Sequence, residues 1–366
     1  MILMNDFKRE DEGLIADQLA AVERVLRSGW YVLGNEVKAF EQEWASWIGA
    51  THAVGVGNGM DALEIGLRAL GIGAGDEVIT TPMTAFATVL AIFRAGATPV
   101  LADIDPATGI LDPVSVERCL NPRTKAVMVV HLYGQAAPLG RFVDLATKHG
   151  IHLIEDCAQA HGAKFEGRFV GSFGSFAGWS FYPTKNLGAI GDAGALTTGK
   201  QEVAEGARRL RNYGQSVRYL HPEIGMNSRL DEIHAAMLRE RLKRLQGWTL
   251  RRREIAAKMH AGIDNELVQA LPAPADPESH VHHLFVVTSK HRDELQKHLA
   301  SSSVDALCHY PVPVHQQDSC RDIGRDPEGL SCAEIHSSTC LSIPCHPFLK
   351  DSEVEQIIDA VNRFTK

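Results

Sequence analysis

The first two thirds of the chain alternate short apolar runs with longer segments of helical periodicity. The apolar runs have the length of single strands, and the segments between them place apolar residues three or four positions apart. Strands that alternate with helices form right-handed parallel crossovers. The pattern therefore predicts the α/β class, with a mainly parallel sheet between helices. The predicted strands are 52–56, 77–80, 99–102, 126–131 and 151–155, and the predicted helices between and after them are 61–70, 84–95, 113–120 and 139–149.

The texture of the sequence changes after Gly199. Two helical stretches follow, and a proline-rich connector at 271–277 separates them from a mixed C-terminal region. We predict a large domain at 1–246 and a smaller α+β domain at 247–366. The later elements are predicted as helices at 202–213, 230–263, 293–300 and 352–364 and a strand at 281–287.

Charge and composition exclude several classes of protein. The chain carries 37 basic and 45 acidic residues, whereas nucleic-acid binders usually show a basic excess. The longest apolar stretch, 85–93, ends at Arg94 and is too short to span a membrane. The seven cysteines form no CxxC pair, and the apolar start of the chain is too short for a signal peptide. We therefore expect a cytoplasmic protein without nucleic-acid or membrane partners.

Three features follow predicted strands, where open parallel sheets bind their ligands. The turn at 57–61 combines glycines with a helix N-terminus, which suits a phosphate, or it is a tight turn capped by Asn58. Asp156 ends an apolar strand and needs a cationic partner, or it caps the next segment. Lys185 lies among apolar and aromatic residues that would lower its pKa, or it is an ordinary solvated lysine.

Together these features match the needs of pyridoxal 5′-phosphate. This cofactor requires an anchor for its phosphate, an acidic partner for its ring nitrogen and an amine for its aldehyde. Lys185 follows Asp156 by 29 residues, which places both on carboxyl-side loops of one sheet.

The sequence resembles the DegT/StrS-type nucleotide-sugar aminotransferases over nearly its whole length. The resemblance implies the fold of the type I pyridoxal-phosphate-dependent transferases, with a mainly parallel seven-stranded sheet in the large domain and a smaller α+β C-terminal domain. The segments that carry it are SGWYVLG at 28–34, NGMDAL at 58–63, EDCAQAHGA at 155–163, SFYPTKNLGAIGDAGA at 180–195, NSRLDEIHAAML at 227–238, HYPVPVHQQ at 309–317 and LSIPCHPFL at 341–349.

The resemblance implies a role for each residue that matches a family motif. Lys185 would form the aldimine with the cofactor and later shuttle the proton, and Asp156 would pair with the ring nitrogen. Gln159 would contact the ring hydroxyl, and Phe86 would stack on the ring or belong to the core. The phosphate would be held by the backbone of Gly59 and Met60, the hydroxyl of Ser180 and, from the neighbouring subunit, Asn227. The last contact implies a homodimer with shared active sites.

Two departures from the family pattern concern the cofactor site. Met60 stands where many relatives carry a hydroxyl residue, so one side-chain contact to the phosphate would be absent. The turn after the lysine reads Gly191-Asp192-Ala193-Gly194, where many relatives have Gly-Glu-Gly-Gly.

The resemblance also suggests residues that would contact the substrates. Arg229 would bind the carboxylate of the amino donor, and His309 would contact the substrate. Tyr219 and His221 would reach the nucleotide diphosphate, or they belong to a solvated loop. His280, His282 and His283 form a cluster that we interpret as structural, with no metal site.

The resemblance implies transfer of an amino group from L-glutamate to a nucleotide-linked keto sugar, in two ping-pong half-reactions. The subgroup it favours acts at the 3-position of a dTDP-3-keto-6-deoxyhexose. Amination of a UDP-linked 3-keto sugar or of a 4-keto sugar is the alternative within the class. Alternatives from other classes are a regulatory protein that binds the cofactor without turnover and a metal hydrolase built on the histidine cluster.

Overall fold

The computed structural model describes all 366 residues. The helices are α1 (Glu12–Ser28), α2 (Asn35–Ile48), α3 (Gly59–Ala69), α4 (Phe86–Arg94), α5 (Pro113–Cys119), α6 (Leu139–His149), α7 (Gln201–Leu210), α8 (Glu232–Gly262), α9 (Arg292–Ser301), α10 (Ser331–Thr339) and α11 (Asp351–Asn362). The strands are β1 (His52–Val56), β2 (Glu77–Thr80), β3 (Thr98–Leu101), β4 (Thr124–Val130), β5 (His152–Asp156), β6 (Lys164–Phe165), β7 (Arg168–Phe169), β8 (Phe176–Ser180), β9 (Gly194–Thr198), β10 (Gln269–Ala270), β11 (Phe285–Thr288), β12 (Gly324–Arg325) and β13 (Cys340–Ile343).

The central sheet has eight strands in the order β1-β9-β8-β5-β4-β2-β3-β12. The pairs from β8 to β12 are parallel, whereas β9 runs antiparallel to both β8 and β1. The α/β class and the mainly parallel sheet are therefore confirmed. Seven strands come from the first 200 residues, and the eighth, β12, is a two-residue strand from the C-terminal region that the seven-stranded prediction did not include.

The C-terminal region forms a separate sheet, in the order β10-β11-β13. Its buried apolar residues, such as Phe285 and Val354, pack in a cluster of their own with Ile255 of α8. The predicted strand at 281–287 is wrong at its start, because β11 begins at Phe285. The 31-residue helix α8 runs through the predicted domain boundary at 246/247, which stays a prediction.

An aromatic cluster under the sheet supports the segment that follows β8. The Trp44 ring of α2 meets the rings of Trp179 and Phe181 edge to face, with centroid separations of 5.0 and 5.5 Å. Phe40 packs against Phe181 at 5.3 Å, and all four side chains are fully buried. The start of the segment that leads to Lys185 is thus fixed by the core.

None of the helices is both long enough and apolar enough to cross a lipid bilayer.

Candidate active site

The turn between β1 and α3 is closely packed, so that glycine is required at Gly59 at the start of α3 and at Gly194 in the facing strand β9. A Cβ on Gly59 would lie 2.7 Å from the Cβ of Ser180, and one on Gly194 would lie 2.3 Å from the carbonyl carbon of Asn58. Asn58 caps α3, because its side chain accepts a hydrogen bond from the Asp61 N–H at 2.9 Å. The cap and the open helix N-terminus predicted from sequence therefore coexist, with Ser180 beside Gly59.

Ser228 ties the segment at 227–229 to this turn. Its hydroxyl accepts from the Gly57 N–H at 2.9 Å and donates to Asp61 at 2.7 Å. The neighbouring Asn227 is exposed, and its backbone pairs with Asn212. The Asn227 side chain therefore does not join the hydrogen bonds that Ser228 makes with the turn. Its contact with a neighbouring subunit stays a prediction.

Asp156 lies at the carboxyl end of β5 and is almost completely buried. One carboxylate oxygen accepts a hydrogen bond from the Thr88 hydroxyl at 2.8 Å, and the other accepts from the Ala158 N–H at 3.1 Å. Thr84 lies 2.6 Å from Thr88 and extends the chain of hydroxyls. Asp156 forms no ion pair, although a buried carboxylate is costly without a cation. The arrangement fits a protonated ring nitrogen as the missing partner.

Lys185 lies in a tight turn, where its backbone N–H donates to the Tyr182 carbonyl at 2.8 Å. Burial lowers the pKa of the Lys185 amine, and the nearby Asp156 carboxylate opposes this effect. A lysine with a lowered pKa has a larger neutral fraction, which is the form that attacks a carbonyl carbon. The sequence-based expectation of a desolvated lysine is thus consistent with the structure.

Gln159 joins two segments that line the site. We call the β4–α6 connection the first wall and the segment at 308–310 the second wall. Its side-chain oxygen accepts from the Tyr133 N–H at 2.6 Å, and its amide donates to the Tyr310 hydroxyl at 3.1 Å. The Tyr133 hydroxyl in turn donates to the His309 carbonyl at 2.5 Å. The β4–α6 connection and the segment at 308–310 are therefore held together around Gln159.

Within the second wall, the side chains of His309 and Tyr310 are neutral near pH 7. Burial, with a contribution from Lys185, lowers the pKa of His309 to about 4. Burial raises the pKa of Tyr310 to about 12, and the Asp156 charge adds to this effect. The His309 imidazole interacts with the Ser342 hydroxyl at 2.9 Å. These groups can bind a substrate by hydrogen bonds without adding charge.

Sequence reasoning missed several residues of the site. Thr88 and Tyr310 were not singled out, although Thr84 and Thr88 would share one face of the predicted helix at 84–95 and Tyr310 lies in the family segment at 309–317. His161 is fully buried among aromatic rings, and neither ring nitrogen has a hydrogen-bond partner. Burial, with Lys185 adding to it, lowers the pKa of His161 to about 3. The His161 ring is therefore neutral near Lys185 at pH 7.

The histidine cluster divides in two. The His280 and His282 rings stack with centroids 4.0 Å apart, whereas His283 interacts with Asn186 at 3.1 Å, next to Lys185. A second buried group, His131 with Glu155 and Cys157, brings metal-ligating atoms within 4.8 Å of one another. Glu155 in that group accepts backbone N–H bonds from a neighbouring loop as well as bonding to His131. These hydrogen bonds give the group a structural role.

Within the chain, no hydrogen bond or ion pair joins five of the predicted residues to Asp156 or Lys185. Arg229 donates to the Asn212 side chain at 2.9 Å and lies over the Tyr213 ring. Tyr219 is 80% exposed, and His221 lies in the same surface loop. Phe86, at the first turn of α4, is partly exposed two residues before Thr88. Met60 is half-buried and packs on the apolar cluster beneath α3. Their roles toward ligands stay predictions.

The fold and the arrangement at the strand ends define an α/β enzyme of the aminotransferase class. The chain belongs to the DegT/DnrJ/EryC1/StrS aminotransferase family, whose sequence model matches residues 13–362.

Two relatives and one solved structure support this membership. The chain is 45% identical to the dTDP-3-amino-3,4,6-trideoxy-alpha-D-glucose transaminase of Streptomyces venezuelae, over 99% of this chain and 95% of the relative. It is 47% identical to the dTDP-3-amino-3,6-dideoxy-alpha-D-galactopyranose transaminase of Aneurinibacillus thermoaerophilus, over 94% of each chain. The crystal structure of S. venezuelae DesV in complex with a ketimine intermediate superposes with a TM-score of 0.94 at 45% identity, covering 99% of this chain and 97% of that one.

Proposed function

We propose that the protein uses pyridoxal 5′-phosphate to transfer the amino group of L-glutamate to the 3-position of a dTDP-3-keto-6-deoxyhexose. The observation that carries the proposal is the buried Asp156 carboxylate, which has hydrogen bonds but no cation and lies near a lysine of lowered pKa. The names of the two relatives, both transaminases of dTDP-3-amino sugars, support the choice of nucleotide and position.

The residues present fit this cofactor. The free N–H groups at the start of α3 and the Ser180 hydroxyl would hold its phosphate. Asp156 would pair with the ring nitrogen, Gln159 would contact the ring hydroxyl, and the Phe86 ring would cover one face. Bound there, the cofactor supplies an electron-accepting ring next to the carbon that carries the amino group.

Each polar residue then has a defined task. Thr88 and the Ala158 N–H orient the Asp156 carboxylate, so that it can pair with a protonated ring nitrogen. The Lys185 Nζ accepts a proton as a neutral amine and returns it as an ammonium group. The neutral His309 and Tyr310 can orient a sugar through hydrogen bonds. The hydrogen bond between Gln159 and Tyr310 holds the segment at 308–310 against the site.

The direct test is a panel of keto sugars incubated with L-glutamate and the cofactor-loaded protein. We expect an amino sugar and 2-oxoglutarate, detected by mass spectrometry, from a dTDP-3-keto-6-deoxyhexose. The Lys185→Ala variant should lose turnover by several orders of magnitude. Preferential conversion of a UDP-linked 3-keto sugar or of a dTDP-4-keto sugar would contradict the substrate assignment, and normal activity of the variant would contradict the mechanism.

We also propose that the active protein is a homodimer in which each site uses residues of both chains. Support comes from apolar side chains that lie exposed on the segments around Asn227 and ahead of α2. A contiguous exposed apolar surface usually marks an interaction site. These side chains are Trp30, Tyr31, Val32, Tyr213, Val217, Tyr219, Leu220 and Ile224.

Mixing two inactive variants tests the sharing of sites. Lys185→Ala and Asn227→Ala would each be impaired alone. Unfolded and refolded together in equal amounts, they should recover about a quarter of wild-type activity, because half of the dimers are mixed and one of their two sites is intact. No recovery, with mixed dimers shown by native mass spectrometry, would contradict shared sites. The cytoplasmic location stays a prediction.

A further inference from the structure

Two cysteine side chains meet at the edge of the second wall, outside the catalytic cluster. Cys308 follows Leu307, whose backbone pairs with Ser342, and Cys340 is the first residue of β13. The Cys308 sulfur lies 3.0 Å from the Cys340 carbonyl oxygen, and the Cys340 sulfur lies 3.7 Å from the carbonyl oxygen of His309, the residue after Cys308. Cys308 is half-buried, whereas Cys340 is buried. Cys308 is thus the more accessible of two neighbouring cysteines.

Arg292 gives Cys308 an electropositive surrounding. Arg292 is the first residue of α9. Its Nη1 contacts the Cys308 sulfur and donates to the Ser337 carbonyl at 3.3 Å. The other charge near the sulfur is Asp293, which weakens the effect of Arg292. The carbonyl contact of Cys308 suits its thiol form, and the Arg292 contact suits its thiolate form.

The balance of these contacts favours the thiolate. The hydrogen bond from the Cys340 thiol, together with Arg292, lowers the pKa of Cys308 to about 7, although burial opposes this. The same hydrogen bond and burial raise the pKa of Cys340. Cys332 is also half-buried but lies beside Asp103, and burial and that carboxylate raise its pKa. Cys332 is therefore a matched reference within the same chain.

We propose that Cys308 and Cys340 form a peroxide-sensitive thiol pair, in which Cys308 is the nucleophile and Cys340 closes a reversible disulfide. The thiolate attacks one oxygen of a hydroperoxide, so that an S–O bond forms, the O–O bond breaks, and water or an alcohol leaves after protonation. The Cys340 sulfur then attacks the Cys308 sulfur, the S–S bond forms, and the S–O oxygen leaves as water with the Cys340 proton. The two thiols lose two electrons, which reduce the hydroperoxide.

The position of the pair connects it to the site. His309 and Tyr310 follow Cys308 directly, and their contacts with Tyr133 and Gln159 close the second wall. A disulfide would fix the segment at 307–310 to the start of β13 and shift these contacts. This consequence rests on the proposed function, whereas the thiol chemistry does not.

Competitive alkylation of the complete, reduced protein tests the nucleophile. With limiting iodoacetamide at pH 7, peptide mass spectrometry should show Cys308 reacting roughly tenfold faster than Cys332. A larger thiolate fraction outweighs the lower intrinsic reactivity of a thiolate with a low pKa. In Arg292→Gln the rate at Cys308 should fall several-fold while the rate at Cys332 stays the same. Equal rates at the two cysteines in the wild-type protein would overturn the proposal.

Disulfide mapping tests the pair without any transaminase assay. After one equivalent of hydrogen peroxide and blocking of free thiols, we expect a peptide linked through Cys308 and Cys340 that dithiothreitol releases. Cys340→Ala should instead leave a sulfenic acid at Cys308. Higher oxides at Cys308 with Cys340 still free in the wild-type protein would overturn the pairing. Because the readout is the linkage itself, its failure is distinguishable from failure of the proposed transaminase activity.

Discussion

At the scale of single residues, the site depends on how one buried carboxylate is held. Asp156 has two hydrogen-bond donors from the protein, Thr88 and the Ala158 N–H, and its remaining capacity faces the site. Charged hydrogen bonds of this kind are stronger than neutral ones. Thr88 therefore acts as a positioning residue for the group that would meet the cofactor ring.

Replacing Thr88 by valine removes this donor while nearly preserving the volume. We expect Thr88→Val to weaken binding of pyridoxal 5′-phosphate to the apoprotein by about ten- to hundredfold, because a hydrogen bond to a charged group contributes about 1.5–3 kcal/mol. Quenching of tryptophan fluorescence measures this affinity without turnover. Thr98→Val, on the exposed start of β3, is the control and should have no effect. An unchanged affinity in Thr88→Val would show that Asp156 needs no orientation.

The sequence predicted the residues of the site that lie in continuous motifs, such as Asp156, Gln159 and Lys185. It did not predict their partners, because these come from distant segments. Thr88 lies 68 residues before Asp156, and Tyr310 lies 151 residues after Gln159. Such pairs are decided by how the sheet and the C-terminal region pack, and no local pattern encodes them.

At the scale of elements, the start of α2 shows a helix end that is capped from far away in the chain. Its N-cap residue, Gly34, has no side chain to offer. Glu232, at the start of α8, accepts hydrogen bonds from the N–H groups of Gly34, Glu36 and Val37 at 2.7, 2.9 and 3.0 Å. The helix N-terminus also favours a negative charge, so one buried carboxylate joins α2 to α8.

The Glu232→Gln variant tests this capping interaction between α8 and α2. The amide keeps one acceptor oxygen and loses the charge, so at least one of the three N–H groups is left without a partner. We expect the free energy of unfolding to fall by about 2–3 kcal/mol, as for a buried group left unsatisfied. Urea unfolding measures the change. Glu43→Gln, which removes a partly exposed ion pair with Arg239, should cost less than about 1 kcal/mol. Equal costs for the two variants would contradict the capping role.

The elements also show where periodicity misleads. The bounds of β1, β2 and α6 are the predicted ones, because their apolar patterns are regular and their ends carry turn residues. The run from Val281 to Leu284 contains two histidines and is largely buried, yet it is not a strand. It leads past Asn186 and Gly134, and its backbone bonds to Gly134 and Tyr133 replace a ladder. Burial alone therefore does not distinguish a strand from a packed loop.

At the scale of the whole molecule, a set of histidines is buried in the neutral form. Burial lowers the pKa of His161 and His282 to about 3, and that of His309, His336 and His346 to about 4. In the unfolded chain the same groups titrate near their usual value of about 6.5. Between these values the unfolded state binds more protons than the native state, so stability falls as the pH falls.

We expect a large loss of stability between pH 8 and pH 5.5. Each such histidine lowers the free energy of unfolding by about 1.4 kcal/mol at pH 5.5, because it binds a proton in the unfolded state but not in the native state. Urea unfolding at fixed protein concentration measures the difference between the two pH values. His161→Phe should show a smaller difference, since one of the groups is gone. A stability that is equal at both pH values would contradict the assignment of buried neutral histidines.

The most direct test of the central claim is the absorbance spectrum of the protein loaded with pyridoxal 5′-phosphate, recorded before and after addition of L-glutamate. We predict a visible band from the lysine-linked cofactor, which glutamate bleaches as the amino group is transferred. In Lys185→Ala this band and its bleaching should be absent. A wild-type protein that shows no such band with added cofactor, or whose band glutamate leaves unchanged, would contradict the account.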